Sequence, residues 1–108
     1  MKAYLINPKE QEVTEVEYSG DYKDIYKLID CSTFEIVGIT PKGDGIYVDE
    51  EGLYAEKKHL WSFKGILFKN HMFNLINKGL VLGTNIVGDT IKPDLSLEEI
   101  KERVVWHW

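Results

Sequence analysis

At 108 residues the chain has room for one domain and none for a second, and 44% apolar with 29% charged residues is the composition of a folded protein. Cys31 is the only cysteine, which excludes an internal disulfide and a cysteine-built metal cage. The net charge of −5 excludes general nucleic-acid binding, because that affinity comes from neutralising many phosphates.

The opening residues Lys2–Ile6 alternate and stop at Asn7-Pro8, a turn signal, so they read as a first strand. Val13–Tyr18 returns as a second, with Glu15 and Glu17 on one face and Val16 and Tyr18 on the other, which makes an N-terminal hairpin with its loop at Pro8–Glu12. Ser19-Gly20-Asp21 breaks the strand, and Asp21 with Asp24 marks a helix start. Tyr22, Ile25 and Ile29 at helical spacing predict a short amphipathic helix ending near Asp30.

Phe34–Ile39 and Gly45–Val48 read as strands on either side of the turn Pro41-Lys42-Gly43-Asp44-Gly45. Asp49-Glu50-Glu51-Gly52 is a second turn, and Leu53-Tyr54 beyond it extends the stretch into a β-meander. Leu60–Phe68 predicts one or two short strands, and residues 69–78 fit a loop or a helical turn equally. Leu80-Val81-Leu82, bounded by Gly79 and Gly83, is the apolar run of a buried strand. Thr84–Asp94 is a loop or hairpin bending at Gly88-Asp89.

Ser96 and Glu99 then form a capping box, with Leu95 and Ile100 as its hydrophobic staple, and this is the clearest local signal in the chain. Val104–Trp108 is too β-branched and aromatic for a helix and reads as a final strand. The expected fold is a single α+β domain over residues 1–108, mainly antiparallel sheet built of hairpins and a meander, with two short helices. No segment approaches the roughly 18–20 apolar residues of a membrane span, and the short apolar start is no secretion signal, so a reducing cytosol is the expected compartment.

Constellations for catalysis are missing from the pattern. The carboxylates fall mainly in the Asp49–Glu51 turn or on the exposed face of Glu15 and Glu17, where solvated surface is the plain reading. His59, His71 and His107 lack metal-ligand spacing, Cys31 follows a helix rather than opening one, and no G-x-S-x-G elbow occurs. The expectation is therefore no enzyme, no metal and no cofactor.

Binding is better represented. The first 54 residues carry five Lys against twelve acids, whereas the span from Lys57 to Gly88 carries five Lys and no acid. Within it Trp61 and Phe63 alternate with Lys64, with Lys69 and Lys78 following, and a base stacked on an aromatic face beside ammonium groups is how a nucleotide is held. The competing reading is ordinary strand alternation, aromatics inward and lysines outward. Gly79 and Gly83 with Thr84 and Asn85 invite a phosphate-loop reading, because glycine lets backbone N–H groups approach an anion. They match neither common phosphate-loop pattern, and glycine turns at the ends of a buried strand explain them as well. The candidate ligand set is Trp61, Phe63, Lys64, Lys69, Lys78, Gly83, Thr84 and Asn85.

Five segments carry a resemblance: Met1–Ile6, Asp24–Ile29, Ile46–Leu53, Lys78–Thr84 and Ser96–Ile100. Together they make the whole chain similar to a family of small phage and prophage proteins of unknown function. Some similar phage proteins sequester the cyclic nucleotides of bacterial immune signalling. That likeness implies an anti-defence protein of the host bacterial cytoplasm, a homo-oligomer that binds a small anionic nucleotide at sites between subunits without catalysis. It assigns no role to any single residue. A different class of function, an acidic inhibitor or adaptor of a host protein, would use the acidic N-terminal half as a mimic of DNA charge.

Overall fold

The computed structural model describes residues 1–40, 42–54, 56–65, 67–68, 74–85 and 87–107. In chain order these are β1 (Lys2–Asn7), β2 (Glu12–Glu17), α1 (Lys23–Leu28), β3 (Phe34–Ile39), β4 (Gly45–Asp49), β5 (Leu60–Phe63), β6 (Leu67–Phe68), β7 (Leu75–Ile76), β8 (Gly79–Thr84), β9 (Thr90–Ile91), α2 (Leu97–Arg103) and β10 (Val104–His107). The larger sheet runs β2-β1-β8-β4-β3-β6, with β9 pairing β8, and the smaller runs β10-β5-β7. Every pairing is antiparallel, so the expected α+β class with two short helices is the class found.

The central strand is β8, and its burial explains its sequence. Gly79 to Gly83 are all buried, because side chains leave a strand on alternate faces and both faces of the large sheet are covered. On one face Leu80 and Leu82 join Ala3, Tyr18 and Tyr47 against Ile25 and Ile29 of the α1 segment. On the other, Val81 joins Tyr4, Ile6, Ile46 and Val48 against Trp61, Phe63 and Leu75 of the small sheet, with Leu95 and Ile100 closing the end. The molecule is thus layered: helix, large sheet, then small sheet with α2.

Two expectations shift in detail. Leu53-Tyr54, read as the continuation of the meander, lies in a 3-10 turn over Gly52–Tyr54, and β4 pairs instead with β8. Leu75–Ile76, read as loop or helical turn, is the edge strand β7, held against Leu60 and Trp61. Residues 69–73 lie outside the described residues.

The capping box is present in full. Ser96 Oγ accepts from Glu99 N–H at 3.2 Å, and Ser96 N–H donates back to Glu99 Oε1 at 3.2 Å. Ser96→Ala should therefore cost about 1 kcal/mol, read as a lower denaturation midpoint. The backbone bond from Ser96 holds the Glu99 carboxyl below its ordinary pKa, aided by Lys42. A carboxyl depressed in the folded state adds stability that is complete above its unfolded pKa and is lost as pH falls through the folded one. The N–H that depresses it belongs to the backbone and survives Ser96→Ala, so the pH dependence should appear in Glu99→Ala, whose gap from wild type should narrow in acid. An equal gap at pH 7 and pH 3 would contradict this capping geometry.

Candidate functional site

The seven described residues of the expected ligand set do not form one site. Trp61 is 0% exposed and Phe63 is 3% exposed, both inside the core between the sheets. The competing reading holds for these two aromatics: they point inward, so neither offers a face on which a base could stack. Lys64 is exposed at the far end of β5, where its N–H donates to Arg103 O at 2.8 Å. Lys69 lies outside the described residues.

Gly83, Thr84 and Asn85 are at the opposite end of β8 from Lys78, about 17–24 Å away at roughly 3.4 Å per residue. Their backbone groups are already used. Gly83 and Thr84 pair with Ile91 and Thr90, and Asn85 N–H donates to Asp89 O at 3.0 Å. The Asn85 side-chain oxygen accepts from Val87 and Asp89 N–H, closing the hairpin bend rather than facing a ligand. The two glycines have steric causes. A Cβ at Gly79 would stand 2.6 Å from Trp61 Cζ2, and one at Gly83 would stand 2.5 Å from the carbonyl oxygen of Lys92. Close packing, not an anion, accounts for both.

Of the described members of the set, Lys78 lines a cleft. This cleft, of about 260 Å³, is bounded by Asn7, Pro8, Lys9, Ile29, Asp30, Asp49, Lys57, His59, Asn77 and Lys78. It lies where β1 and β4 end and β8 begins. The antiparallel register brings Ile6 and Val48 to either side of Gly79, so the residues just past them converge. Asn7 and Asp49 come from those strand ends, Lys9 from the β1–β2 turn, Asp30 from the exit of α1, and Lys57 and His59 from the approach to β5.

Asn77 fixes one wall. Its φ of 61° is the left-handed region that Asn tolerates better than most residues. Its N–H donates to His59 O at 2.8 Å, its Oδ1 accepts from His59 N–H at 3.0 Å, and its O accepts from Trp61 Nε1 at 2.7 Å. The chain crosses from the small sheet to the large one at this residue, and the buried indole anchors the crossing. With Oδ1 committed, the remaining polar group of the Asn77 side chain is its NH₂. Asn7 is alike: Oδ1 accepts from Glu10 N–H at 3.4 Å.

The lining is thus rich in donors. Lys9, Lys57, Lys78, the two amide NH₂ groups and the His59 ring stand against two carboxylates, and both carboxylates are engaged. Asp30 is paired with Lys78, and Asp49 Oδ1 accepts from Glu51 N–H at 2.9 Å. No ion pair of Lys9 or Lys57 occurs among the described residues. Cys31, next to Asp30, has its thiol pushed up to about 11, first by burial and then by Asp49 and Asp30. It is a protonated thiol at neutral pH, the reverse of an activated nucleophile.

A protein-family model matches residues 1–104, nearly the entire chain. The chain belongs to the DUF3846 family, a domain of unknown function. No curated protein and no solved structure matches this DUF3846 chain. Among its described residues no helix is long and apolar enough to cross a membrane, and no group of three or more His, Cys, Asp or Glu could hold a metal ion.

Residues Lys9, Lys57, His59, Asn7 and Asn77 were not in the expected ligand set. Two signals pointed toward them: a lysine in the turn after Asn7-Pro8, and an Asn-Lys pair directly before a strand glycine. Neither says that the two turns meet.

Proposed function

We propose that this DUF3846 domain captures a small anionic nucleotide, of the cyclic kind used in bacterial defence signalling, and holds it without breaking a bond. The ligand's phosphate seats in the cleft among Lys9, Lys57, Lys78 and His59, and its remaining acceptors face the NH₂ groups of Asn7 and Asn77. The observation that carries this reading is the donor-rich lining of the cleft in a chain whose net charge is −5. A cluster of donors with few open acceptors fits an acceptor-rich anion, and a phosphate is the commonest of these. Capture alone suits the chemistry, since the thiol beside the cleft is protonated and both carboxylates are tied to other groups. The resemblance to sequestering phage proteins supports the same reading and adds the defence setting.

The test is calorimetry with cyclic mononucleotides and cyclic dinucleotides on the wild type, Lys9→Ala and Lys57→Ala. Both lysines are exposed, so neither change should alter folding. A charge-assisted hydrogen bond is worth about 1.5–3 kcal/mol, so each variant should bind roughly ten- to a hundredfold more weakly. Binding should also weaken with added salt. A folded wild type that binds no member of the panel overturns the reading.

A further inference from the structure

The outer edge of β2 is the second feature of the molecule that points to a partner. β2 ends the large sheet, pairing with β1 alone. Which of its backbone groups face outward follows from one pair. Met1 and Tyr18 exchange hydrogen bonds in both directions, Tyr18 N–H to Met1 O at 2.8 Å and Met1 N to Tyr18 O at 2.8 Å. Hydrogen-bonded and non-hydrogen-bonded pairs alternate along an antiparallel ladder. In the register Lys2↔Glu17 through Asn7↔Glu12, Val16, Thr14 and Glu12 therefore turn their backbone groups toward β1. Val13, Glu15 and Glu17 turn theirs outward. The same alternation sends Tyr4 and Ile6 toward β8, where they face Val81 and Gly79, as observed.

Beside this edge runs a groove of about 510 Å³ lined by Gln11, Glu12, Val13, Thr14, Lys101 and Trp106. Its floor is the half-buried Trp106 on β10, itself the edge strand of the small sheet. The charge along the strand has one sign: Glu10, Glu12, Glu15 and Glu17 occur with no base among them. Lys2 and the N-terminal ammonium meet Glu15 and Glu17 only at the surface, where such pairs are worth little.

We propose that β2 is a docking edge for an extended, lysine- or arginine-bearing segment of another protein, which adds as a strand beside Val13, Glu15 and Glu17. Main-chain bonds supply the grip in such strand addition, and alternate side chains supply the choice of partner. Basic side chains fall opposite Glu15 and Glu17 as cross-strand pairs, and an apolar side chain reaches the groove over Trp106. A second copy of β2 is disfavoured at the same edge, because antiparallel self-pairing sets Glu against Glu. The acids that block self-association thus select a cationic strand. This edge is separate from the strand-end cleft and does not depend on what the cleft holds.

The test is calorimetry at low salt with a synthetic peptide of alternating valine and lysine, the same peptide N-methylated at alternate residues, and a valine–glutamate counterpart. Only the first should bind, and N-methylation, which removes the pairing amides but leaves the charge, should weaken it at least tenfold. Glu15→Pro should do the same to the protein, because the N–H it removes faces away from β1. No binding of the lysine peptide by folded protein overturns the proposal. Equal binding of the N-methylated peptide also overturns it, since that would be charge adsorption only. Should Glu15→Pro fail to fold, the N-methylated peptide decides the matter alone.

Discussion

Asp44→Ala should lower the unfolding free energy by about 2–4 kcal/mol, because it leaves the buried amide of Leu95 and the part-buried amide of Asp94 without their acceptor. Asp44 is 1% exposed and stands in the β3–β4 turn. Its Oδ1 accepts from Asp94 N–H at 2.9 Å and its Oδ2 from Leu95 N–H at 3.0 Å. Leu95 and Ile100 close one end of the core, so this carboxylate fixes the approach to α2 against the large sheet. The turn itself is held by its own bonds, Asp44 N–H to Thr40 Oγ1 at 3.0 Å and Thr40 N–H to Asp44 O at 2.8 Å. These survive the substitution. The loss should therefore appear at the join between turn and α2 rather than in the hairpin. Asp44→Asn keeps one acceptor oxygen and opposes its NH₂ to the second amide, so it should fall between wild type and alanine. Urea denaturation followed by circular dichroism measures both. An alanine midpoint equal to that of the wild type would mean the two amides find other partners.

Trp61→Ala should cost about 3–5 kcal/mol, the range for removing a buried large aromatic side chain. Its indole fills the space that Gly79 leaves open, and its N–H satisfies the Asn77 carbonyl. Two further effects separate this account from one in which Trp61 only stacks on a ligand. The loss should appear in full with no nucleotide present. Gly79→Ala should be strongly destabilising alone, because backbone and indole cannot both stay in place. It should cost less in a Trp61→Phe background, where the crowding atoms Cζ2 and Cη2 are gone. Groups in direct contact commonly couple by about 0.5–3 kcal/mol, so the cycle of single and double variants measures the contact. Additive losses would show that indole and glycine do not press on each other.

Much of the architecture was legible because its signals are local. The hairpins announce themselves by alternation and turn residues, and Ser96 with Glu99 specifies a helix start by chemistry confined to four residues. β7 escaped because two residues are too few to show alternation, and because Leu75–Ile76 becomes a strand only by pairing with Leu60 and Trp61. The cleft escaped for a related reason. Its walls come from segments between Asn7 and Lys78 that touch only after the sheet has formed. The acid-free span misled in the opposite direction, since it gathers in sequence what the fold disperses. Alternation turned Trp61 and Phe63 inward, and strand length set Lys64 and Asn85 far from Lys78.

The placement of β8 has a consequence for the order in which the chain assembles. Its neighbours β1 and β4 are made first, the one opening the chain and the other at its middle, yet neither touches the other directly. Leu5 must wait for Leu80, and Tyr47 for the same residue. On a growing chain the two early hairpins are finished pieces with no common edge, and the sheet cannot close until Gly79–Thr84 has been synthesised and slots between them. Loop closure over such separations comes before the contacts that reward it, which places folding among the slower, non-local class. The last-made strand of the sheet's middle acts as its keystone, so a ribosome-bound chain stopped short of it would present both hairpins with their inner edges open.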